Sequence, residues 1–274
     1  MKFVRVFSLF SFLVLSYPTQ AEVLVLVHGW AADANTWVRS GVQAGLVQHG
    51  WQDGGVLVST PRGINSQLLH PRKARRILIR AQLPAEAPMM IQANHLMAQL
   101  KFIKTKYPHQ KIILVAHSAG GIVSRLVLVN PAAPKVNMLI TIATPNLGTH
   151  RAMDALEIAD GKPFFCPGPG IDFLKTVVGG SQYQYLKNSR AALVDLMPAG
   201  YSRLLGWLNQ QVHPDIKYHS VIKQESGQAE AVVPAFSQDL NQVVSLKGKV
   251  HVHLVFSEHG LNPGDAILIN KILK

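Results

Sequence analysis

The feature that most constrains this chain is a short apolar run that leads directly into a serine between small residues. Residues 112–115 read Ile-Ile-Leu-Val, Ala116 and His117 follow, and Ser118 precedes a helix-like stretch at 119–129. This pattern predicts a buried strand, a sharp turn and a helix, which present a serine hydroxyl at the end of a parallel sheet. Small neighbours suit the turn because larger side chains would clash with the strand and helix that it joins. An ordinary strand–helix turn is the alternative.

Apolar runs recur along the chain and alternate with segments of helical periodicity. Strands are predicted at residues 22–27, 55–60, 111–115, 136–143, 216–223 and 249–256. Helices are predicted at residues 37–49, 89–107, 119–129 and 265–273, and residues 64–88 are expected to be irregular. The alternation predicts the α/β class, with a doubly wound, mostly parallel sheet of about six strands. Right-handed crossovers would bring most strand ends to one edge of the sheet.

The first 21 residues have the pattern of an export signal. Two basic residues precede an apolar run at 6–15, and Ala21 is the expected cleavage site. The run is shorter than the roughly 20 residues that a membrane helix needs, although an uncleaved anchor is the alternative. We therefore predict a signal peptide at 1–21, a folded domain at 22–274, and export to the periplasm or the medium.

Charge and cysteine content narrow the expected partners. The net charge is +12, and part of the basic excess lies at residues 72–76. A basic exported protein favours anionic lipid or cell-envelope surfaces, and a solvated basic face is the alternative. Nucleic acid is not expected because no aromatic interleaving or binding motif accompanies the charges. The single cysteine, Cys166, excludes an intramolecular disulfide and a cysteine zinc site, and no metal or cofactor is expected.

A serine nucleophile needs a base and an orienting carboxylate. In a sheet of this kind the acid and then the histidine follow Ser118 in the chain, each after a strand. His259 follows the last predicted strand and precedes a glycine and the final helix, so it is the predicted base. Glu230, in the loop after the fifth strand, is the predicted acid, with Glu225 and more weakly Asp239 as alternatives.

An oxyanion formed on the substrate needs two hydrogen-bond donors. The amide of Ala119, directly after the nucleophile, is predicted to be one. The second is predicted to be the amide of Trp30, which follows His-Gly in the loop after the first strand. A plain tight turn is the alternative for this His-Gly pair.

Four segments together resemble the α/β-hydrolase superfamily, and most closely its bacterial secreted triacylglycerol lipases. They are Val-His-Gly-Trp at 27–30, Ala-His-Ser-Ala-Gly at 116–120, Ile-Ala-Thr-Pro-Asn-Leu-Gly at 142–148, and the segments around Glu230 and His259. The resemblance implies a minimal α/β-hydrolase fold and serine hydrolysis.

Three features depart from the lipase pattern. Ala116 stands where a glycine is usual, and Glu230 stands where most such lipases carry aspartate. Larger lipases also bind a structural calcium ion, but only Asp239 and Asp265 lie near the corresponding loops here and neither falls in a clear motif. No calcium is therefore expected.

Residues 146–213 interrupt the alternation of strands and helices after the fourth predicted strand, where the superfamily usually carries a cap. The segment contains a Gly/Pro-rich stretch at 164–170, followed by short helical patterns. Its apolar stripes fit a lid that opens on lipid, or helices packed permanently on the core. A lid would favour long acyl esters at an interface, whereas a fixed cap would favour small soluble esters.

The predicted activity is hydrolysis of carboxylic esters, with acylglycerols or other lipids as the expected substrates. The same residues could serve a thioesterase, an amidase or an acyltransferase. The alternative from a different class is a catalytically silent exported protein that docks to membrane surfaces.

Overall fold

The computed structural model describes residues 21–67, 74–160, 182–224 and 232–274, and every structural statement below concerns these ranges. The described residues form one sheet of eight strands. The strands are β1 Glu22–Val27, β2 Gln52–Thr60, β3 Gly63–Gln67, β4 Arg76–Gln82, β5 Lys111–His117, β6 Met138–Ile142, β7 Lys217–Gln224 and β8 Val250–Phe256. They lie in the order β3-β2-β4-β1-β5-β6-β7-β8, and β3 alone among them runs antiparallel to its neighbour.

Helices cover both faces of the sheet. They are α1 Thr36–Arg39, α2 Val42–Gln48, α3 Met89–Lys106, α4 Ala119–Leu128, α5 His150–Asp160, α6 Gln182–Asn188, α7 Arg190–Leu196, α8 Arg203–Leu208, α9 Ala235–Gln238 and α10 Pro263–Ile272. One apolar core joins the sheet to α3, α4 and α5 to α8. A second core on the opposite face joins it to α1, α2 and α10. The predicted doubly wound, mostly parallel α/β architecture is confirmed.

The central strand β1 shows why a continuous apolar run marks this position. Its residues 23–27 are fully buried, because helices cover the sheet on both sides. Val23, Val25 and Val27 point into the first core, while Leu24 and Leu26 point into the second. Both side-chain sets are therefore apolar, and β1 ends where the chain turns to His28 and Gly29.

The structure contains two more strands than the sequence predicted, because β3 and β4 lie in the stretch expected to be irregular. Arg76 and Arg80 in β4 made this stretch look like a basic loop. The guanidinium of Arg76 lies 4.2 Å from the centre of the Trp51 ring, and Arg80 pairs with Asp53 at 3.3 Å. These partners let both arginines sit in a strand whose remaining side chains are largely buried.

Two predicted segments fall wholly or partly outside the described residues. The first is the predicted signal peptide, whose residues 1–20 lie outside the described ranges, so export stays a prediction. Within the described ranges, no helix combines the length and the apolar character needed to cross a membrane. The predicted cap at 146–213 contains α5 to α8, whereas its residues 161–181 lie outside the described ranges.

Candidate active site

The predicted serine turn is present between β5 and α4. Ser118 adopts φ 51° and ψ −130°, a conformation that residues other than glycine rarely take. Such strain costs about 1–3 kcal/mol and persists only where the surroundings enforce it. The Ser118 amide donates to the Ile142 carbonyl at 2.8 Å, and the Gly121 amide donates to the Ser118 carbonyl at 3.0 Å. The hydroxyl is thus held at the carboxyl edge of the sheet, partly open to solvent.

The predicted base meets this hydroxyl. His259 lies between the end of β8 and the start of α10, and its Nε2 is 3.0 Å from Ser118 Oγ. In the tautomer with Nε2 unprotonated, the serine hydroxyl donates to the imidazole. This contact joins residues that lie 141 positions apart in the chain.

The surroundings of His259 keep its imidazole neutral. Burial lowers the pKa of His259 well below 6.5, and the neighbouring His117 and Lys223 lower that pKa further. A base must be unprotonated before it can accept a proton, and the lowered pKa gives His259 the neutral form that its predicted role requires.

His117, for which the sequence predicted no role, contacts the same loop. Burial lowers the pKa of His117 to about 4, so its ring is neutral at pH 7. Its Nε2 donates to the main-chain carbonyl of His259 at 3.0 Å, and the two rings lie 5.2 Å apart between centres. The residue before Ser118 therefore supports the backbone of His259.

The loop after β1 lies directly against the serine turn. A Cβ atom at Gly29 would lie 2.9 Å from the Cβ of Ser118, and one at Gly120 would overlap the carbonyl oxygen of His28. Neither the Trp30 amide nor the Ala119 amide donates a backbone hydrogen bond to another described residue. Both predicted oxyanion donors thus lie at the turn or next to it, with N–H groups that no described main-chain carbonyl accepts from.

His28 fixes the path of this loop. Its side chain is fully buried, and burial lowers its pKa. The Leu83 amide donates to His28 Nε2 at 3.0 Å, which leaves Nδ1–H to donate to the Gly29 carbonyl at 2.9 Å. One imidazole therefore ties the ends of β1 and β4 together and orients the chain that leads to Trp30.

The predicted acid Glu230 and its alternative Glu225 lie outside the described residues. The chain leaves β7 at Gln224 and is described again from residue 232, which precedes β8 in the sequence. The weaker alternative, Asp239, has a local role: its Oδ1 accepts from the Asn241 amide at 2.8 Å. Glu230 remains the predicted acid.

The described part of the cap is packed on the core. Apolar side chains of α6, α7 and α8 belong to the same buried cluster as the strands, namely Leu186, Leu193, Leu196, Leu205 and Leu208. Main-chain hydrogen bonds join the segment before α5 to the end of α7 and the residues after it. The Thr149 amide donates to the Leu196 carbonyl and the Ala199 amide donates to the Leu147 carbonyl, both at 2.9 Å. The packing of α6 to α8 favours a fixed cap over a hinged one for this part of the segment.

Arg125 on α4 forms hydrogen bonds to both ends of the cap segment. Its guanidinium is fully buried and donates to Asn209 Oδ1 at 2.6 Å, His213 Nε2 at 3.2 Å and Asn146 Oδ1 at 3.3 Å. Burial lowers the pKa of Arg125 to about 9. The helix that begins beside Ser118 is thus bonded to the segment that follows α8.

A cleft of about 480 Å³ opens next to the predicted oxyanion loop. Its walls come from the loops after β1 and β4 and from Tyr185 of α6. The Tyr185 ring also contacts the ring of Trp30, with centres 5.7 Å apart. The cleft is therefore a candidate for binding one part of a substrate. No group of three or more His, Cys, Asp or Glu side chains in the described ranges is placed to hold a metal ion.

Comparison with solved structures identifies the fold. A mature lipase of Bacillus licheniformis, BlEst2, superposes with a TM-score of 0.60 over 94% of this chain and 93% of its own, at 17% sequence identity. The chain has the α/β-hydrolase fold. The PGAP1-like alpha/beta domain model matches residues 86–159, which span α3, β5, the serine turn, α4 and β6. No curated protein sequence matches the chain.

Other neighbours with this fold carry different activities. The RedJ thioesterase of Streptomyces coelicolor covers 93% of this chain and 90% of its own, at 14% identity and a TM-score of 0.50. The bottromycin epimerase BotH covers 94% and 91%, at 14% identity and a TM-score of 0.52. Because one hydrolase fold hosts a lipase, a thioesterase and an epimerase, the activity must be argued from the site.

Proposed function

We propose that this protein hydrolyses carboxylic esters through an acyl-enzyme on Ser118. The observation that carries the proposal is the 3.0 Å contact between Ser118 Oγ and His259 Nε2 at a strained strand–helix turn. His259 takes the hydroxyl proton as Ser118 attacks the ester carbonyl, and returns it to the leaving alcohol. A water molecule, activated by the same imidazole, then attacks the acyl group and releases the acid.

Three further groups complete the proposed mechanism, namely two main-chain amides and a carboxylate. The amides of Trp30 and Ala119 stabilise the negative oxygen of the tetrahedral intermediate, a contribution supported by the close approach of Gly29 to Ser118. Glu230 orients His259 and stabilises the imidazolium that forms when the serine proton is taken. The lowered pKa of His259 supports its role because the base starts unprotonated at neutral pH.

The packing of the cap indicates which carboxylic esters can reach the site. Its helices α6 to α8 are packed on the core, and the neighbouring cleft is about 480 Å³ in volume. A fixed cap admits esters that fit an existing cleft, rather than esters that must first open a lid on a lipid surface. Among lipid esters, the proposed substrates are therefore short-chain acylglycerols and similar esters that reach the site from solution.

The first test replaces the nucleophile. Ser118→Ala should lower kcat on a short-chain nitrophenyl ester by about 10⁶-fold, because the covalent step is lost. The matched control is Ser124→Ala, which removes a buried hydroxyl of α4, the helix after Ser118; that hydroxyl donates to the Gly120 carbonyl. The control should keep wild-type kcat within about threefold, since a single neutral hydrogen bond contributes about 1 kcal/mol to stability. Full activity in folded Ser118→Ala would refute the mechanism. A folded wild-type protein that turns over no ester would instead favour the silent membrane-docking role.

The second test addresses the cap. Activity on acylglycerols of increasing chain length is measured below and above the concentration at which each substrate forms an interface. With a fixed cap, specific activity should change by no more than about twofold when the interface forms, because no lid has to open. A sharp rise at the interface would contradict the fixed cap and support a lipase with a mobile lid.

A further inference from the structure

A buried lysine stands directly behind the loop that carries His259. Lys223, the second-last residue of strand β7, has a side chain with no exposed surface. Its Nζ donates to Asp265 Oδ2 at 2.8 Å and to the carbonyl oxygen of Gly260 at 2.5 Å. Because burying an ammonium group is unfavourable unless it is paired and hydrogen-bonded, Lys223 is held firmly by these two acceptors.

Asp265 extends the same contact to the other end of the loop. It lies in the first turn of α10, and its Oδ2 also accepts from the Asn262 amide at 2.8 Å. The Asn262 side chain in turn accepts from the Gly264 amide at 2.9 Å. The ion pair therefore fixes one carbonyl and one amide within three residues after His259.

The remaining side of the loop is fixed from β5, and the backbone of Lys223 is fixed in turn by Gln238. His117 donates to the His259 carbonyl, as described above. Gln238 accepts from the Lys223 amide at 2.8 Å and donates to the Lys223 carbonyl at 3.0 Å. The main chain and the side chain of Lys223 are thus both constrained, and the His259 loop is bonded at 259, 260 and 262.

We propose that Lys223, paired with Asp265, is a positioning residue that holds the His259 loop so that Nε2 meets Ser118 Oγ. The proposal rests on the proposed roles of Ser118 and His259. It assigns a function to a buried ion pair that touches neither the nucleophile nor the substrate.

The charges around the base give the proposal a measurable signature. The described groups whose charges act on His259 are His117 from β5 and Lys223 from β7. Asp265 from α10 pairs with Lys223, and Glu258 is the chain neighbour of His259. The positive charge of Lys223 lowers the pKa of His259, whereas Asp265 raises that of His117. Removing the lysine charge should therefore raise the pKa of His259. Removing the negative charge of Asp265 should not raise the pKa of His259.

The test compares Lys223→Met with Lys217→Met, which removes an exposed lysine at the opposite end of the same strand. In folded Lys223→Met, kcat on the nitrophenyl ester should fall by about 10- to 100-fold because a small displacement of the base is costly, while KM changes by less than about twofold. The acid limb of kcat/KM should move to higher pH. Lys223→Arg should restore the acid limb, and Lys217→Met should match the wild type.

Wild-type kcat and an unmoved acid limb in folded Lys223→Met would overturn the proposal. If Lys223→Met does not fold, Asp265→Asn is the deciding variant. Its kcat should fall without an upward move of the acid limb, and an unchanged kcat would overturn the proposal. A different result would contradict the proposed function itself, namely a wild-type protein that does not turn over the ester at all. An active wild type with insensitive Lys223 and Asp265 variants would remove only the positioning role.

Discussion

The two halves of the proposed site are held by different means. On the serine side, main-chain atoms set the geometry: Ser118 sits in a strained turn, and Gly29 and Gly120 let the loop after β1 pack against it. On the histidine side, buried polar side chains set the geometry. There the Lys223–Asp265 pair and the ring of His117 bond the loop of the base.

This difference separates two kinds of sensitivity. A site held by main-chain contact tolerates few added atoms, because neither neighbour can move aside without distorting a strand or helix. A site held by charges tolerates some change of shape but responds to any change of charge, because charges set the pKa of the base. The serine side should therefore respond to volume, and the histidine side to charge.

The largest expected effect comes from removing the base. His259→Gln should lower kcat by about 10⁶-fold, as loss of either the nucleophile or its base disables the same covalent step. KM should change far less than kcat, and the melting temperature should stay near that of the wild type. These quantities are measured with the nitrophenyl ester and by thermal unfolding.

His251→Gln is the matched control for His259→Gln. It removes an exposed histidine of β8, the strand that leads to the base. It should retain wild-type kcat within about twofold, since exposed substitutions rarely disturb a distant site. Loss of activity in both variants would point to general disruption of β8 rather than to loss of the base.

A smaller effect is expected on the serine side. Gly120→Ala places a methyl group against the carbonyl oxygens of Val27 and His28, which belong to the main chain and cannot rotate away. The variant should lose about 1–3 kcal/mol in the free energy of unfolding, as overpacked cores do. Its kcat should fall by about 100-fold through displacement of the oxyanion loop, with no shift of the acid limb.

Gly200→Ala is the control for Gly120→Ala, since a Cβ at Gly200 meets no atom within 4 Å. It should leave stability and kcat unchanged. If Gly120→Ala instead moved the acid limb as Lys223→Met is expected to do, the distinction between a side sensitive to volume and a side sensitive to charge would be lost.

The serine side could largely be predicted from the sequence, because its residues lie close together within short segments of the chain. The serine turn and its glycines occupy two short segments, 27–30 and 116–120, where small residues next to apolar runs are visible locally. His259 could be proposed because it follows the last apolar strand. The parallel fold followed from the alternation of strands and helices, and the strand pairing confirms it.

The contacts that hold the histidine side could not be predicted in the same way. Lys223 and Asp265 lie 42 positions apart, and nothing in either local pattern indicates their pairing. A lysine at the end of an apolar strand was a weak signal of a buried charge. The strand β4 was missed for a related reason, since Arg76 and Arg80 find their partners Trp51 and Asp53 only after folding.

The most direct test of the account is covalent labelling with a fluorophosphonate, with the modified residue located by peptide mass and the rate followed against pH. The account predicts modification of Ser118, at a rate that is constant from about pH 8 down to 6.5 and falls only below that, because the pKa of His259 lies well below 6.5. No labelling of the folded protein, or labelling of another residue at a rate unaffected by His259→Gln, would contradict it.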